Sequence, residues 1–179
     1  MLEEKNAEYY DNFYKDKPDL SRYDEIHKEI GNMVGKSSVL DIGCGSSEIA
    51  KYIPDYKGFD FSKEAIDIAK EKGLNVWVGS AYDKENFKKA DCYVSTELLE
   101  YTDDLKVIQN IPKDYRLIFT VPSFSDPAHL RTYTEDIIRI RFRDLLEIKE
   151  IKKYNFHSKW ELGGTNTLSN IYLVDSIKK

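Results

Sequence analysis

Two acids and two glycines carry the strongest chemical signal in this chain. Asp41 stands two residues before Gly43, and Gly43-Cys44-Gly45 leads into Ser46-Ser47. Glycine at such positions lets backbone approach a ligand that a side chain would hold off. Amides opening a helix after the turn would suit a carboxylate or a phosphate, and an acid just before the first glycine can accept hydrogen bonds from an ammonium group. Asp60 closes the next apolar run, nineteen residues after Asp41. An acid there can accept from ribose hydroxyls, as a similarly placed acid does in nucleotide-binding folds, and charge-assisted bonds of this type contribute roughly 1.5–3 kcal/mol each. A nucleoside joined to an amino acid would use all of these groups. A dinucleotide fits badly, because the third glycine of G-x-G-x-x-G is replaced by Glu48, whose charge would repel a pyrophosphate. The same residues would also form a tight strand-to-helix turn that binds nothing, and the local sequence leaves that reading open.

The elements that must hold these residues follow from hydrophobic spacing. A helix over about residues 3–14 places Tyr10, Phe13 and Tyr14 at helical intervals and stops before Pro18. A second begins at Ser21, with Asp24 three residues on, shows Ile26, Ile30 and Met33 on one face and ends at Gly35. Short apolar runs at 38–42, 56–61, 75–79, 92–96 and 116–121 then alternate with helical stretches at about 47–53, 63–72 and 103–110. That rhythm predicts an α/β fold, a doubly wound and mostly parallel Rossmann-like sheet in three layers. After a helix capped by Thr134, two β-like runs at 148–156 and 170–177 flank Gly163-Gly164, predicting a C-terminal hairpin that sets one antiparallel strand at the sheet edge. The whole of residues 1–179 is expected to form one domain, with 1–35 as helices able to cover a site and 36–179 as core.

Composition bounds the function. The chain has 179 residues, 41% apolar and 33% charged, with a net charge of −5. An acidic surface makes nucleic acid a poor default partner, although a local basic patch would still bind it. No run of about 18 apolar residues exists to span a membrane, and Met1–Tyr10 lacks the apolar stretch of a signal peptide. Cys44 and Cys92 are the only cysteines. They make no disulfide framework and suit a reducing, cytoplasmic compartment. No His/Cys cluster has zinc spacing, so no metal is expected. Asp103-Asp104 reads as helix capping. Arg139, Arg141 and Arg143 read as a solvated helix, because Arg141 points away from the other two.

Several segments, in order, carry a resemblance. Residues 39–50, VLDIGCGSSEIA, resemble motif I of class I S-adenosylmethionine-dependent methyltransferases, and GFDFS at 58–62 resembles their second-strand motif. GSAYD at 79–83 is similar to the turn that holds adenine, STELLEY at 95–101 to the segment after strand four, and TVPSF with HLRTYTEDI to motifs of the ubiquinone-biosynthesis-like branch. The resemblance implies S-adenosylmethionine as cofactor. Gly43, Cys44 and Gly45, with Asp41, would pass its methionine part, Asp60 and Ser62 would serve the ribose, and Phe61 would pack on adenine with Ser80 and Ala81 at its edge. Thr96 and Glu97 would line the methionine end. Arg22 would pair with the cofactor carboxylate or stay solvated, and Tyr14, with Tyr9 and Tyr10, would form a lid or merely pack.

Methyl transfer asks mainly for alignment of nucleophile, methyl and sulfur, and a base only where the nucleophile must shed a proton early. His129 follows the fifth strand, on the substrate side of such folds, and its titration range suits proton transfer. Tyr133 and Tyr101 are the next candidates. Each has a plainer reading: His129 as a loop residue, Tyr133 and Tyr101 as helix packing. Trp160 and Gly163-Gly164 would shape a substrate wall or pack the tail. Three functions remain open: transfer to oxygen or nitrogen of a small molecule, transfer to nucleic acid or protein with a partner, and a non-catalytic scaffold. Charge and the tail hairpin suit a monomer or a homodimer.

Overall fold

A computed structural model describes residues 3–156 and 169–179. Seven strands form a single sheet: β1 (Val39–Ile42), β2 (Tyr56–Asp60), β3 (Asn75–Val78), β4 (Cys92–Ser95), β5 (Arg116–Pro122), β6 (Leu146–Phe156) and β7 (Ser169–Lys178). Their order is β3-β2-β1-β4-β5-β7-β6. β1 to β5 are parallel, and β7 is antiparallel to both of its neighbours. The doubly wound, mostly parallel sheet with a C-terminal hairpin is therefore present, with one correction. The antiparallel strand lies one place in from the edge, because β7 inserts between β5 and β6. Ile171, Tyr172, Leu173 and Val174 of β7 are buried in succession, as a strand covered on both faces requires. β6 carries Glu147, Lys149, Glu150, Lys152 and Lys153, charges that blunt an outer edge. Trp160 and Gly163-Gly164 lie outside the described residues.

The pleat sorts the apolar side chains into two layers. Leu40, Ile42, Phe59, Tyr93, Leu117 and Phe119 pack on one face with α4 (Asp104–Gln109) and α5 (Glu135–Phe142). Val39, Tyr56, Val76, Val94 and Ile118 pack on the other with α2 (Asp24–Val34) and α3 (Lys63–Glu71). Three layers result. Three caps stand where the residue types predict them: Ser62 Oγ accepts from Ala65 N–H, Thr134 Oγ1 from Ile137 N–H, and Gly35 ends α2 at φ +59°. Ser21 is a correction, since it opens a 3₁₀ turn over Ser21–Tyr23 and α2 begins at Asp24 without a side-chain cap. The segment after the glycine turn departs from expectation. It is a 3₁₀ turn over Glu48–Tyr52 and not an α-helix. Ser47 enters it in the left-handed region, and Pro54 holds Ile53 extended at its end. No described helix is long and apolar enough to cross a membrane.

Two charged groups also differ from the sequence reading. Asp103 caps α4, but Asp104 is completely buried. Its carboxylate accepts from Arg141 Nε and Nη2 at 2.6 Å each and from Tyr133 Oη at 2.7 Å, with Arg131 Nη1 at 3.6 Å. Asp104 is thus the centre of a buried ion cluster between α4 and α5, and Arg141 belongs to it. Arg139 and Arg143 do stand in solvent, paired with Glu135 and Asp144. The face opposition of Arg141 to its neighbours was legible; the acid waiting on that side was not.

Candidate cofactor and acceptor cleft

The carboxyl ends of β1 to β4 and the loop after β5 open into one cleft of about 500 Å³, at the point where the strand order reverses, the usual place for a ligand in such sheets. Its floor is the glycine turn. Gly43 and Gly45 take φ +68° and +50°, and a Cβ on Gly45 would lie 2.1 Å from Tyr14 Oη. Only glycine meets both demands at once.

Asp60 closes β2 beside this turn and lines the cleft. Its Oδ2 accepts from Gly45 N–H at 2.9 Å and its Oδ1 from Ser62 N–H at 2.8 Å. Each oxygen keeps a further acceptor site. Burial pushes its pKa up to about 6, against the pull of those two bonds. Ser62 does not line the cleft; it caps α3 and presents its amide to Asp60. Phe61, next along, is a large apolar side chain left 37% exposed, with its ring 5.3 Å from that of Tyr10. Ser80 and Ala81 line the cleft beyond β3.

Asp41 corrects a prediction. It is completely buried, outside the lining, on the pleat face covered by α2 and α3. Oδ2 accepts from Tyr56 Oη at 2.8 Å, while Oδ1 has no partner among the described residues. Burial pushes its pKa up to about 7. It therefore stands behind the cleft wall and not on it.

Beyond β4, Thr96 and Glu97 line the cleft. Glu97 takes φ +49°, its N–H donates to Thr120 Oγ1 and its Oε1 accepts from that hydroxyl at 2.9 Å. A non-glycine residue held there stores strain of the kind found at binding sites. Burial pushes its pKa up to about 7. Cys44 and Arg22 complete the lining near the turn, the guanidinium 5.1 Å over the Tyr23 ring.

Of the three proton-transfer candidates, the structure brings two together. His129 Nδ1 lies 3.1 Å from Phe124 O and Nε2 lies 3.2 Å from Tyr101 Oη. With Nδ1–H donating to the carbonyl, Nε2 is left to accept from the phenol. Burial holds the imidazole below its usual pKa, hence neutral and able to accept. Tyr133 is the exception. Fully buried and outside the cleft, it serves the Asp104 cluster.

The N-terminal helix α1 (Ala7–Lys15) starts at its cap Asn6 and lies over the cleft. Tyr9, Tyr10, Phe13 and Tyr14 line the cleft from this side. Asp11 Oδ1 ties it to α3, accepting from Ser62 Oγ at 2.6 Å and Glu64 N–H at 3.1 Å. Sequence reading passed over Asp11, and over Glu100, a fully buried acid three residues after Glu97. The Glu97-x-x-Glu100 spacing was the available signal for the second.

The donor set fits S-adenosylmethionine: an acid with spare acceptor sites at the end of β2, an exposed ring beside it, a bare backbone turn, and Arg22 opposite Glu97. Comparison with known proteins agrees. Residues 40–111 match a family model described as a methyltransferase domain. No curated protein matches the sequence significantly. Among solved structures, an S-adenosylmethionine-dependent methyltransferase from Anabaena variabilis superposes with a TM-score of 0.74 at 13% identity, over 100% of this chain and 98% of that one. The N-methyltransferase NodS from Bradyrhizobium japonicum, solved with S-adenosyl-L-homocysteine, gives 0.65 at 18% identity over 89% of each chain. YcgJ from Bacillus subtilis gives 0.68 at 16% identity over 87% of this chain and 99% of that one. At such identities the likeness is one of fold. The chain thus shares the fold of these methyltransferases, and its residues 40–111 are similar to the methyltransferase-domain family.

Proposed function

We propose that the protein transfers a methyl group from S-adenosylmethionine to an oxygen or nitrogen of a small molecule, as one domain whose N-terminal helices cover the site. The observation that carries this is the single cleft with Asp60 and the Gly43–Gly45 turn at one side and the Tyr101–His129 pair at the other. In this reading Asp60 binds the ribose hydroxyls, and Phe61 packs on adenine with Ser80 and Ala81 at its edge. The turn amides and Arg22 hold the carboxylate. Thr96 and Glu97 border the methionine end, and Tyr14 covers it. When bound, the cofactor supplies a methyl carbon made electrophilic by a positive sulfur. The chain's own work is then to orient the acceptor, exclude water beneath α1 and move a proton. An acceptor hydroxyl would pass its proton toward Tyr101 Oη as the phenol proton moves to His129 Nε2. The enclosing helix leaves room for a small acceptor.

Calorimetry with S-adenosylmethionine and S-adenosyl-L-homocysteine tests the reading. Saturable one-site binding of both is expected, weakened at least tenfold by Asp60→Asn, the loss of about 1.5–3 kcal/mol in charge-assisted bonds. Absence of binding by either molecule would overturn it.

A further inference from the structure

We infer that Glu4, on the segment leading into α1, receives the exocyclic amino group of the cofactor's adenine, so that the cover over the cleft also reads the base. The inference rests on the cofactor reading above, in which adenine lies against Phe61 with Ser80 and Ala81 at its edge. The amino group of adenine carries two N–H donors, and enclosing a donor without an acceptor is costly. Its acceptor has to come from the wall that the base meets.

The turn after β3 has its acceptors engaged. Ser80 O accepts from Asn86 Nδ2 at 3.0 Å and from Asp83 N–H at 3.2 Å. Ser80 Oγ accepts from Tyr82 N–H at 3.1 Å. Ala81 O is turned to the end of α4, where it accepts from Asn110 Nδ2 at 3.1 Å. The side-chain amide of Asn86 is used at both ends, since its Oδ1 accepts from Trp77 Nε1 at 3.1 Å.

Glu4 stands beside this turn. It is exposed and lines the cleft together with Ser80, Ala81 and Tyr82. Its Oε1 accepts from Tyr82 Oη and, at 2.9 Å, from Asp103 N–H. Those two bonds fix the carboxylate next to the turn and leave Oε2 without a donor among the described residues. The other acids of the lining are held elsewhere. Glu48 pairs with Lys72 and Asp60 takes the Gly45 amide, both at the glycine turn. Glu97 accepts from Thr120 Oγ1 after β4, and Asp126 accepts from Ala128 N–H after β5. A carboxylate also suits the task, because a charge-assisted hydrogen bond is roughly twice as strong as a neutral one.

The acid rides on the chain that continues into α1, so an amino group bonded to Glu4 adds a tether to the cover. Recognition of the base and closing of the cleft then become one event. A purine without that group would keep its ring and ribose contacts under a looser cover.

The test compares S-adenosyl-L-homocysteine with the analogue that has hydrogen in place of the adenine amino group, by calorimetry and by stopped-flow release. The amino ligand is expected to bind roughly tenfold more tightly and to leave more slowly. Glu4→Ala should shrink that preference roughly fivefold, and continued binding of the analogue shows that the variant is folded. Asp11→Ala, which frees the cover at its other tether without touching Glu4, should weaken both ligands alike and keep the preference. Equal affinity of the two ligands for the unaltered protein would overturn the inference and leave the cofactor reading standing. So would a preference that Glu4→Ala leaves intact, or one that Asp11→Ala shrinks as far. Failure of both ligands to bind the unaltered protein would remove both readings.

Discussion

Asp41 stands one residue before the end of β1 and Asp60 closes β2, and the surroundings of each assign them different work. Asp60 reaches the mouth of the sheet, where its oxygens meet two amides and the cleft. Asp41 turns into the apolar layer under α2 and α3, where its hydrogen-bond partner among the described residues is Tyr56. That difference governs how stability depends on pH. Burial raises the pKa of Asp41 and Glu97 to about 7 and of Asp60 to about 6. A raised acid binds its proton more tightly in the folded chain, so its stabilising effect is complete below the unfolded value near 4 and is lost as pH climbs through the folded one. His27 works the other way, as does His129, also lowered by burial. His27 is pushed down to about 4, so it destabilises the fold as pH falls from about 6.5. The acids outnumber the two. The ligand-free protein should melt higher at about pH 5.5 than at pH 8. Asp41→Asn should raise the pH 8 melting temperature by roughly 5 °C and flatten the slope, in a thermal melt followed across that range. A slope unchanged by the substitution would count against the buried charge as its source.

At the scale of elements, α1 is the piece whose role the sequence left undecided between cover and packing. It has no buried residue of its own, so apolar contact alone cannot hold it firmly. It is pinned at points: Asp11 to Ser62 and Glu64, and Glu4 Oε1 to Asp103 N–H at 2.9 Å. A helix fastened this way can open without unfolding the core. Asp11→Ala should therefore speed release of S-adenosyl-L-homocysteine about 5–30-fold in stopped-flow, from about 1–2 kcal/mol of lost anchoring, with little change in melting temperature. An unaltered release rate would make α1 packing and no more. Its helical spacing was legible in Tyr10, Phe13 and Tyr14. Its destination was not, since an aromatic face specifies that a surface must exist and leaves open which one.

For the molecule as a whole, ion pairs stand on both faces of the sheet, half-buried on one and centred on a buried acid on the other. Arg116 makes a two-point pair with Asp175 at 2.8 Å and donates to Met33 O, tying β5, β7 and α2 together. On the other face Asp104 joins Arg141 and Tyr133. Removing the buried acid leaves the Tyr133 phenol and two half-buried guanidiniums without their shared acceptor. Asp104→Ala should cost about 3–5 kcal/mol in denaturant unfolding. Tyr133→Phe, which deletes the hydroxyl shared between Asp104 and Leu99 O, should cost about 1–2 kcal/mol and leave S-adenosyl-L-homocysteine affinity unchanged. A change in that affinity would return Tyr133 to the list of functional candidates.

Local sequence was enough for whatever depends on local physics. Strand and helix alternate because apolar residues recur at the matching periods, Ser62 and Thr134 cap because their side chains reach the amides three residues on, and Gly43 and Gly45 mark the turn because backbone there must run bare. The cleft residues nearest that turn, Asp60 among them, could be read on the same ground. Direction and depth belong to the folded molecule. Whether an acid such as Asp41 or Asp104 faces a cleft or a core depends on which layer covers its side of the sheet. The meeting of Tyr101 with His129 depends on loops brought together from β4 and β5. Those are contacts between distant stretches of chain, and no local pattern of residue types specifies them until the sheet has closed around its order.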